Sequence, residues 1–221
     1  MFGLPHTTEF NKRIPKNKFY EKLSVNSALK KIFVEQIKNI VWTNKIAENT
    51  VNIKAGKTVT EIEVIEIQLY EPELDVAVLK LIDSYIAYHI IFALKNNGKY
   101  KLWTAYKEAT KNGESAFKVD TYYHTEWLEE NEIKLDFKGF SLDDVYENFV
   151  KSIAGQNLSF ENAFLKNLSL SEAVEASKRR DELIKQIEAL KNKIRKERQF
   201  NVQVKLNDTL KQLTTALKAL Q

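Results

Sequence analysis

Apolar residues that recur every three or four positions predict helices in three parts of the chain. These parts run from Ser24 or Asn26 to about Ile40, from Pro72 to Tyr85, and from Leu142 to about Ile153. A serine or asparagine suits the N-cap of the first helix, and a proline suits the opening turn of the second. Each helix carries one apolar stripe, so we expect each to pack one face against a core.

Stretches rich in β-branched and aromatic residues predict strands between and after these helices. They cover Ile40–Thr43, Val51–Ile53, Thr60–Tyr70, Tyr88–Leu94, Tyr100–Tyr106 and Ser115–Trp127. Asn97-Gly98 is the strongest hairpin signal in the chain, and Gly113 marks another turn. The order of the elements predicts an α+β fold, in which one mostly antiparallel sheet carries helices on one face.

The strand at Thr60–Tyr70 has an alternation that changes phase. Ile62 and Val64 point to one face, whereas Ile65 and the apolar residues after it point to the other. One extra residue, a β-bulge near Val64–Ile65, explains the change. A regular strand that is covered on both faces gives a similar pattern.

The last fifty residues contain no glycine or proline and carry two leucine-rich seams with steps of four and three. Their members are Leu183, Ile187, Leu190 and Ile194, then Leu206, Leu210, Leu213, Leu217 and Leu220. The two seams are out of register, which fits either a helical hairpin turning near Phe200-Asn201 or one long helix that changes partner. We favour the hairpin, because an isolated helix leaves both seams exposed. The expected domains are an α+β domain over 1–155, a junction over 156–170 and coiled-coil helices over 171–221.

Charge divides the chain into three blocks with net charges of +7 for residues 1–60, −9 for 61–150 and +6 for 151–221. Clustered lysine and arginine at both ends suggest contact with a phosphate backbone. The candidate nucleic-acid-binding residues are Lys12, Arg13, Lys16, Lys18, Arg179, Arg180, Lys193, Arg195, Lys196 and Arg198. The alternative is that these charges cover solvated helix faces. Asn11–Lys16 is predicted to be a basic loop, since Pro15 disfavours helix before it.

Several chemistries are excluded by composition. Cysteine is absent, which removes disulfides, thiolate zinc sites and a cysteine nucleophile. The six glycines lie too far apart for a dinucleotide fingerprint, a phosphate loop or a nucleophile elbow. We therefore expect no cofactor and no metal site.

The longest nearly apolar stretch, Tyr85 to Leu94, is too short for a membrane span, and the chain opens with no secretory pattern. We expect a cytoplasmic protein without membrane association.

Four residues are the candidates for catalysis. Glu63 and Glu66 lie on the strand at Thr60–Tyr70, and His124 and Glu126 share a face of a later strand. Carboxylates and a histidine could hold a metal ion and position the attacking water of a nuclease. The alternatives are surface hydrogen bonding for His124 and Glu126, and solvent exposure of the strand face for Glu66.

Five ordered segments resemble an uncharacterised prokaryotic family, domain-of-unknown-function family 4391. The segments are Leu4-Pro5 with Asn11–Lys16, Ile62–Ile67, Trp103–Lys107, Tyr123–Trp127 and Arg195–Asn201. The resemblance spans nearly the whole chain. It implies gene neighbourhoods that contain helicases and DNA methyltransferases of restriction-modification and antiviral defence systems, and hence a DNA-related accessory role. It supplies no catalytic residues.

The leading hypothesis is a non-catalytic accessory subunit that binds DNA and works with a helicase or methyltransferase. It requires the basic groups from the two ends to converge, and it leaves room for self-association through the C-terminal helices. The alternatives are a protein-binding adaptor without affinity for nucleic acid and a metal-dependent nuclease. The sequence leaves open the partner, the nucleic-acid preference and the oligomeric state.

Overall fold

A computed structural model describes residues 1–21, 25–109, 117–158 and 168–220. The chain folds into two compact units, Met1–Ala154 and Gly155–Gln221. In the described residues the first unit contains one sheet with packed helices, and the second contains two long helices. The protein is α+β, as the sequence predicts.

Six strands among the described residues form one sheet whose spatial order follows the chain. They are β1 (Glu9–Arg13), β2 (Ile37–Ala47), β3 (Glu61–Leu69), β4 (His89–Asn96), β5 (Lys99–Ala109) and β6 (Phe117–His124). Neighbouring strands are antiparallel except β3 and β4, which are parallel. Parallel neighbours need a crossover connection, and a helix at Val76–Tyr85 provides it. The hairpin at Asn97-Gly98 is confirmed: both residues have positive φ and join β4 to β5.

The central strand β3 is regular. It pairs with β4 without interruption, so the predicted bulge near Val64–Ile65 is wrong. The register shift lies in the facing strand, where Trp42 pairs with Ile65 and Asn44 pairs with Val64. Thr43 of β2 is therefore the extra residue. The phase change in β3 arises because both of its faces are buried.

Helices cover both faces of the sheet rather than the one face predicted. On one face lie α1 (Asn17–Glu21), α2 (Ser27–Glu35) and α4 (Val76–Tyr85). Ile65, Phe92 and Ile82 belong to the apolar cluster on this side. On the other face lies α5 (Leu142–Ala154), where Tyr146 donates a hydrogen bond to the Ala105 carbonyl at 2.6 Å. Central strands with apolar residues in both directions require this second cover.

Two predicted elements near the start of the chain differ from the structure. Helix α2 begins after Asn26, whose side chain caps Leu29 N at 2.8 Å, but the helix ends at Glu35 rather than near Ile40. Ser24 lies outside the described residues. The residues after Glu35 continue as the long strand β2. The strand predicted at Val51–Ile53 is wrong, because α3 (Glu48–Val51) occupies its start.

The second unit contains the predicted helical hairpin. Helix α6 (Leu170–Lys196) packs against α7 (Phe200–Lys218). The Glu197 carboxylate closes the turn by accepting hydrogen bonds from the backbone of Arg198 at 2.8 Å and Gln199 at 2.9 Å. Part of the predicted junction, residues 159–167, lies outside the described residues, as does the turn predicted at Gly113.

Asp143 fastens the loop before β3 to the start of α5. Its carboxylate accepts backbone hydrogen bonds from Lys57 at 2.7 Å, Thr58 at 3.1 Å and Val59 at 2.7 Å. Partial burial opposes ionisation, but the hydrogen bonds from Val59, Lys57 and Thr58 outweigh it and lower the pKa of Asp143. A side chain at Gly56 would overlap this carboxylate.

Asp143→Asn is expected to lower the free energy of unfolding by about 1–2 kcal/mol at neutral pH, because hydrogen bonds to a charged acceptor are the stronger ones. A depressed folded pKa gives stability that is present above the unfolded pKa and is lost as the pH falls through the folded value. The destabilisation caused by Asp143→Asn should therefore shrink in acid. Urea unfolding at neutral pH and below about pH 4 measures this, with the exposed Asp136→Asn as control. A difference that is the same at both pH values would contradict the assignment.

Candidate functional site

A cavity of about 370 Å³ lies in the first unit, where the end of β1, helix α1 and residues 85–88 meet β2 and β3. Its walls are mainly apolar and include Ile14, Phe19 and Ile65. Three cationic side chains, Lys12, Arg13 and Lys18, line the same cavity. A mainly apolar cavity of this size with a few polar groups is the usual form of a ligand site.

The basic residues are placed by an irregular edge strand. The β1–β2 register shifts between Glu9 and Lys12, and Asn11 takes a positive φ of 49°, a conformation that asparagine tolerates. The residues up to Arg13 belong to β1, so the prediction of a loop over Asn11–Lys16 is wrong for its first half. A turn at Pro15 then leads into α1 and brings Lys18 to the cavity.

Lys16 has a different role from its basic neighbours. Its ammonium group donates a hydrogen bond to the Ile37 carbonyl at 2.6 Å, and the residue does not line the cavity. Burial, together with the charge of Arg13, lowers the pKa of Lys16. Lys16 therefore anchors the segment to β2, whereas Lys12 and Arg13 are exposed at the cavity.

Aromatic side chains accompany the cations. Phe10, 42% exposed, packs on Trp42 at a ring-centroid distance of 4.4 Å. Tyr85 and Tyr88, 44% and 41% exposed, line the cavity together with Trp42. Lys12 Nζ lies 5.8 Å from the centre of the Phe10 ring. Exposed rings beside cations are the components from which proteins build stacking surfaces for unpaired bases.

Glu63 is the buried polar residue of the cavity, with 1% of its surface exposed. Burial raises the pKa of Glu63 to about 9, and the neighbouring Glu61 carboxylate reinforces the shift. Glu61 itself forms a 2.7 Å ion pair with Lys45. Burial opposes ionisation of Glu61, but hydrogen bonds from Glu63 and Lys45 outweigh it and lower its pKa. At neutral pH Glu63 is therefore protonated and Glu61 is ionised, so the two carboxyl groups hold one proton between them.

A buried ion pair that contacts the Tyr88 segment was not predicted from the sequence. Lys107 of β5 and Asp83 of α4 lie 2.7 Å apart, and each side chain is 1% exposed. Tyr122 donates to the same carboxylate at 2.8 Å, and Lys107 donates to the Tyr88 carbonyl at 2.6 Å. Burial lowers the pKa of Lys107 against the opposing effect of Asp83. The ion pair thereby holds the segment that carries Tyr88.

The four catalytic candidates do not form one site. Glu66 points to the face of β3 opposite Glu63, where it contacts Lys95 Nζ at 3.4 Å. His124 Nδ1 lies 3.0 Å from the Thr125 carbonyl oxygen, and Glu126 is exposed. Within the part of the chain that the structure describes, no three acidic or histidine side chains are arranged around a possible metal position.

The C-terminal candidates lie on or just after α6, in the second unit. Arg180 donates to the Ser177 hydroxyl at 3.4 Å and also has a weak contact with Asp181. Arg179 is exposed, as are Lys193, Arg195, Lys196 and Arg198. Three of these occupy the last turn of α6, where positive charge favours the helix dipole. Their convergence with the N-terminal cations stays a prediction.

The fold and the site define a class of protein in which an α+β unit with a basic, aromatic cavity precedes a helical hairpin. A family model described as a domain of unknown function (DUF4391) matches residues 2–217, so the chain belongs to this family. No curated protein and no solved structure matches the chain. Among the described residues, no helix combines the length and hydrophobicity needed to span a bilayer.

Proposed function

We propose that the protein is a non-catalytic accessory subunit that binds unpaired DNA strands through the cavity formed by β1, α1 and residues 85–88. The observation that carries the proposal is the meeting of Lys12, Arg13 and Lys18 with the exposed rings of Tyr85 and Tyr88 around one cavity. Cations that follow a phosphate backbone and rings that stack on bases are the two components of single-strand binding.

The accessory role draws on two further points. The candidate catalytic residues Glu63 and Glu66 lie on opposite faces of β3, which gives no shared centre for chemistry. The family resemblance implies neighbourhoods with helicases, which separate the strands of a duplex, and with DNA methyltransferases, which flip their target base out of it. A subunit that holds a strand beside such an enzyme fits both points.

The salt dependence of binding tests the proposal. Replacing Lys12, Arg13 and Lys18 together with glutamate should flatten the plot of log affinity against log salt for a labelled single strand by about 2, because each lost phosphate contact removes about 0.7. Fluorescence anisotropy between about 50 and 200 mM salt measures the slope. The matched control replaces three exposed lysines that do not line the cavity, Lys54, Lys80 and Lys134, with glutamate. This control should leave the slope unchanged.

Two outcomes would contradict the proposal. Equal slopes for the two triple variants would show that the cavity cations do not contact the strand. Absence of binding at low salt, together with co-purification of a partner protein, would favour the adaptor function. A duplex competitor in the same assay tests the preference for unpaired DNA, since only unpaired bases can stack on the cavity rings.

A further inference from the structure

Glu63, which lines the cavity, and the adjacent Glu61 contain buried carboxyl oxygen atoms without hydrogen-bond donors. Among the described residues, and leaving aside the proton that Glu61 and Glu63 share, neither carboxyl oxygen of Glu63 nor Oε1 of Glu61 has a hydrogen bond of ordinary length and angle. The Trp42 side chain interacts with Glu63 and opposes the rise in its pKa, but burial and Glu61 outweigh this effect. Lys45 serves only the second oxygen of Glu61, and the indole N–H of Trp42 donates to the Asn44 carbonyl at 3.0 Å. Even with one proton shared between the two carboxyl groups, accepting oxygen atoms remain at the cavity. Buried polar atoms without partners are rare in folded proteins, so these atoms need an explanation.

The remaining walls restrict the kind of ligand that could supply the donor. Trp42 and Tyr88 offer aromatic surfaces, and Ile65 offers apolar surface, which suit a flat ring. Lys12 and Arg13 place positive charge at the same cavity, which suits a phosphate. A ring, a phosphate and an N–H donor together describe a nucleotide whose base carries an amino group.

We infer that the cavity holds one unpaired base with an exocyclic amino group, and that Glu63 accepts a hydrogen bond from that group. The inference rests on the proposed function, because Lys12, Arg13 and Lys18 then hold the phosphates of the strand. Carboxyl side chains accept from the amino group of cytosine. Because Glu63 donates its proton to Glu61, its other oxygen atom can only accept. Thymine carries a carbonyl oxygen in the place of the amino group and would leave acceptor facing acceptor.

Two single strands of about twelve nucleotides test the inference, one of 5-methyldeoxycytidine and one of thymidine. Their bases differ only at the edge that carries the amino group. The full-length wild type should bind the methylcytosine strand at least about fivefold more tightly near neutral pH. Glu63→Leu should lower the affinity for the methylcytosine strand to the affinity for the thymidine strand. Glu63→Gln should keep the preference, because the amide oxygen accepts from the base and the amide N–H₂ can donate to Glu61.

Two other variants separate base recognition from strand binding. Tyr88→Ala, which removes an exposed ring, should weaken both strands by roughly 5-fold or more through lost stacking. The triple reversal of Lys12, Arg13 and Lys18 should weaken both strands equally and leave their ratio unchanged. Unfolding followed by tryptophan fluorescence confirms that each variant folds.

The outcomes distinguish the inference from the proposed function. Equal wild-type affinity for the two strands, or a preference that survives Glu63→Leu, overturns the inference and leaves strand binding standing. If neither strand binds at low salt, the proposed function fails, and the monophosphates of 5-methyldeoxycytidine and thymidine decide the inference. If 5-methyldeoxycytidine monophosphate quenches tryptophan fluorescence more than thymidine monophosphate does, and Glu63→Leu abolishes this difference, the assignment of the base to the cavity is supported. If the wild type shows no such difference, the inference is overturned together with the proposed function.

Discussion

Replacing Lys107 with methionine is expected to lower the free energy of unfolding of the first unit by about 3–5 kcal/mol. The substitution keeps the length of the side chain but leaves the Asp83 carboxylate buried without its cation. The hydroxyl of Tyr122 would still donate to that carboxylate, but it carries no positive charge. An uncompensated buried charge is among the most destabilising changes that one substitution can make.

Chemical unfolding of the full chain measures this effect. All three tryptophans, Trp42, Trp103 and Trp127, lie in the first unit, so their fluorescence reports its unfolding. Lys95→Met is the matched control, because the Lys95–Glu66 pair on the neighbouring strand has a lysine side chain that is 33% exposed. We expect that control to cost less than about 1 kcal/mol.

A double variant identifies the physical cause. Asp83→Leu combined with Lys107→Met removes both charges and should recover at least about 1 kcal/mol relative to Lys107→Met alone. If the double variant is less stable than the single one by the full cost of a second core substitution, the loss reflects packing rather than a stranded charge. Such a result would refute the electrostatic explanation.

Glu63→Gln is expected to raise the stability of the first unit by about 2–3 kcal/mol at neutral pH. In the folded protein burial raises the pKa of Glu63 to about 9, whereas the unfolded chain ionises near the ordinary value of 4.5. Between these values the folded state holds a proton that the unfolded state releases. Folding stability therefore falls as the pH rises through this window, and glutamine removes that dependence.

Unfolding of wild type and Glu63→Gln at about pH 5, 7 and 8.5 measures the prediction. The two proteins should be similar at the lowest pH, and the advantage of the variant should grow with each step. Glu126→Gln, at an exposed position, controls for loss of a negative charge. A stability difference that does not change with pH would contradict the neutral state of Glu63. A residue that costs stability and lines a cavity fits a role in binding.

Local sequence patterns predicted those elements whose signal is compatible with only one secondary structure. Asn97-Gly98 specified the hairpin between β4 and β5, because both positions need a positive φ. The apolar stripe of residues 142–153 predicted helix α5, and the break between the two C-terminal seams favoured two helices over one. Ile37 is predicted in the wrong element: it fits the helical stripe that contains Phe33, and only its pairing with Leu69 of β3 places it in a strand.

The candidate site was predicted in part. The sequence placed Lys12, Arg13 and Lys18 together, because they are close along the chain. It did not separate Glu63 from Glu66, since residues three apart in a strand point to opposite faces only if no bulge intervenes, and the bulge lies in the partner strand. The contact between Asp83 and Lys107 left no sequence signal, because two elements that far apart meet only when α4 crosses from β3 to β4.

The α+β class, the order of strands and helices from β3 to α5, and the two helical seams at the C-terminal end were determined by the sequence alone, because periodicity and turn residues act over a few positions. The parallel pairing of β3 with β4, the burial of Glu63 and the cavity that joins it to Lys12 and Arg13 were decided by the tertiary structure. Burial and the pKa of a side chain depend on which distant surfaces cover it, and local pattern carries no information on that.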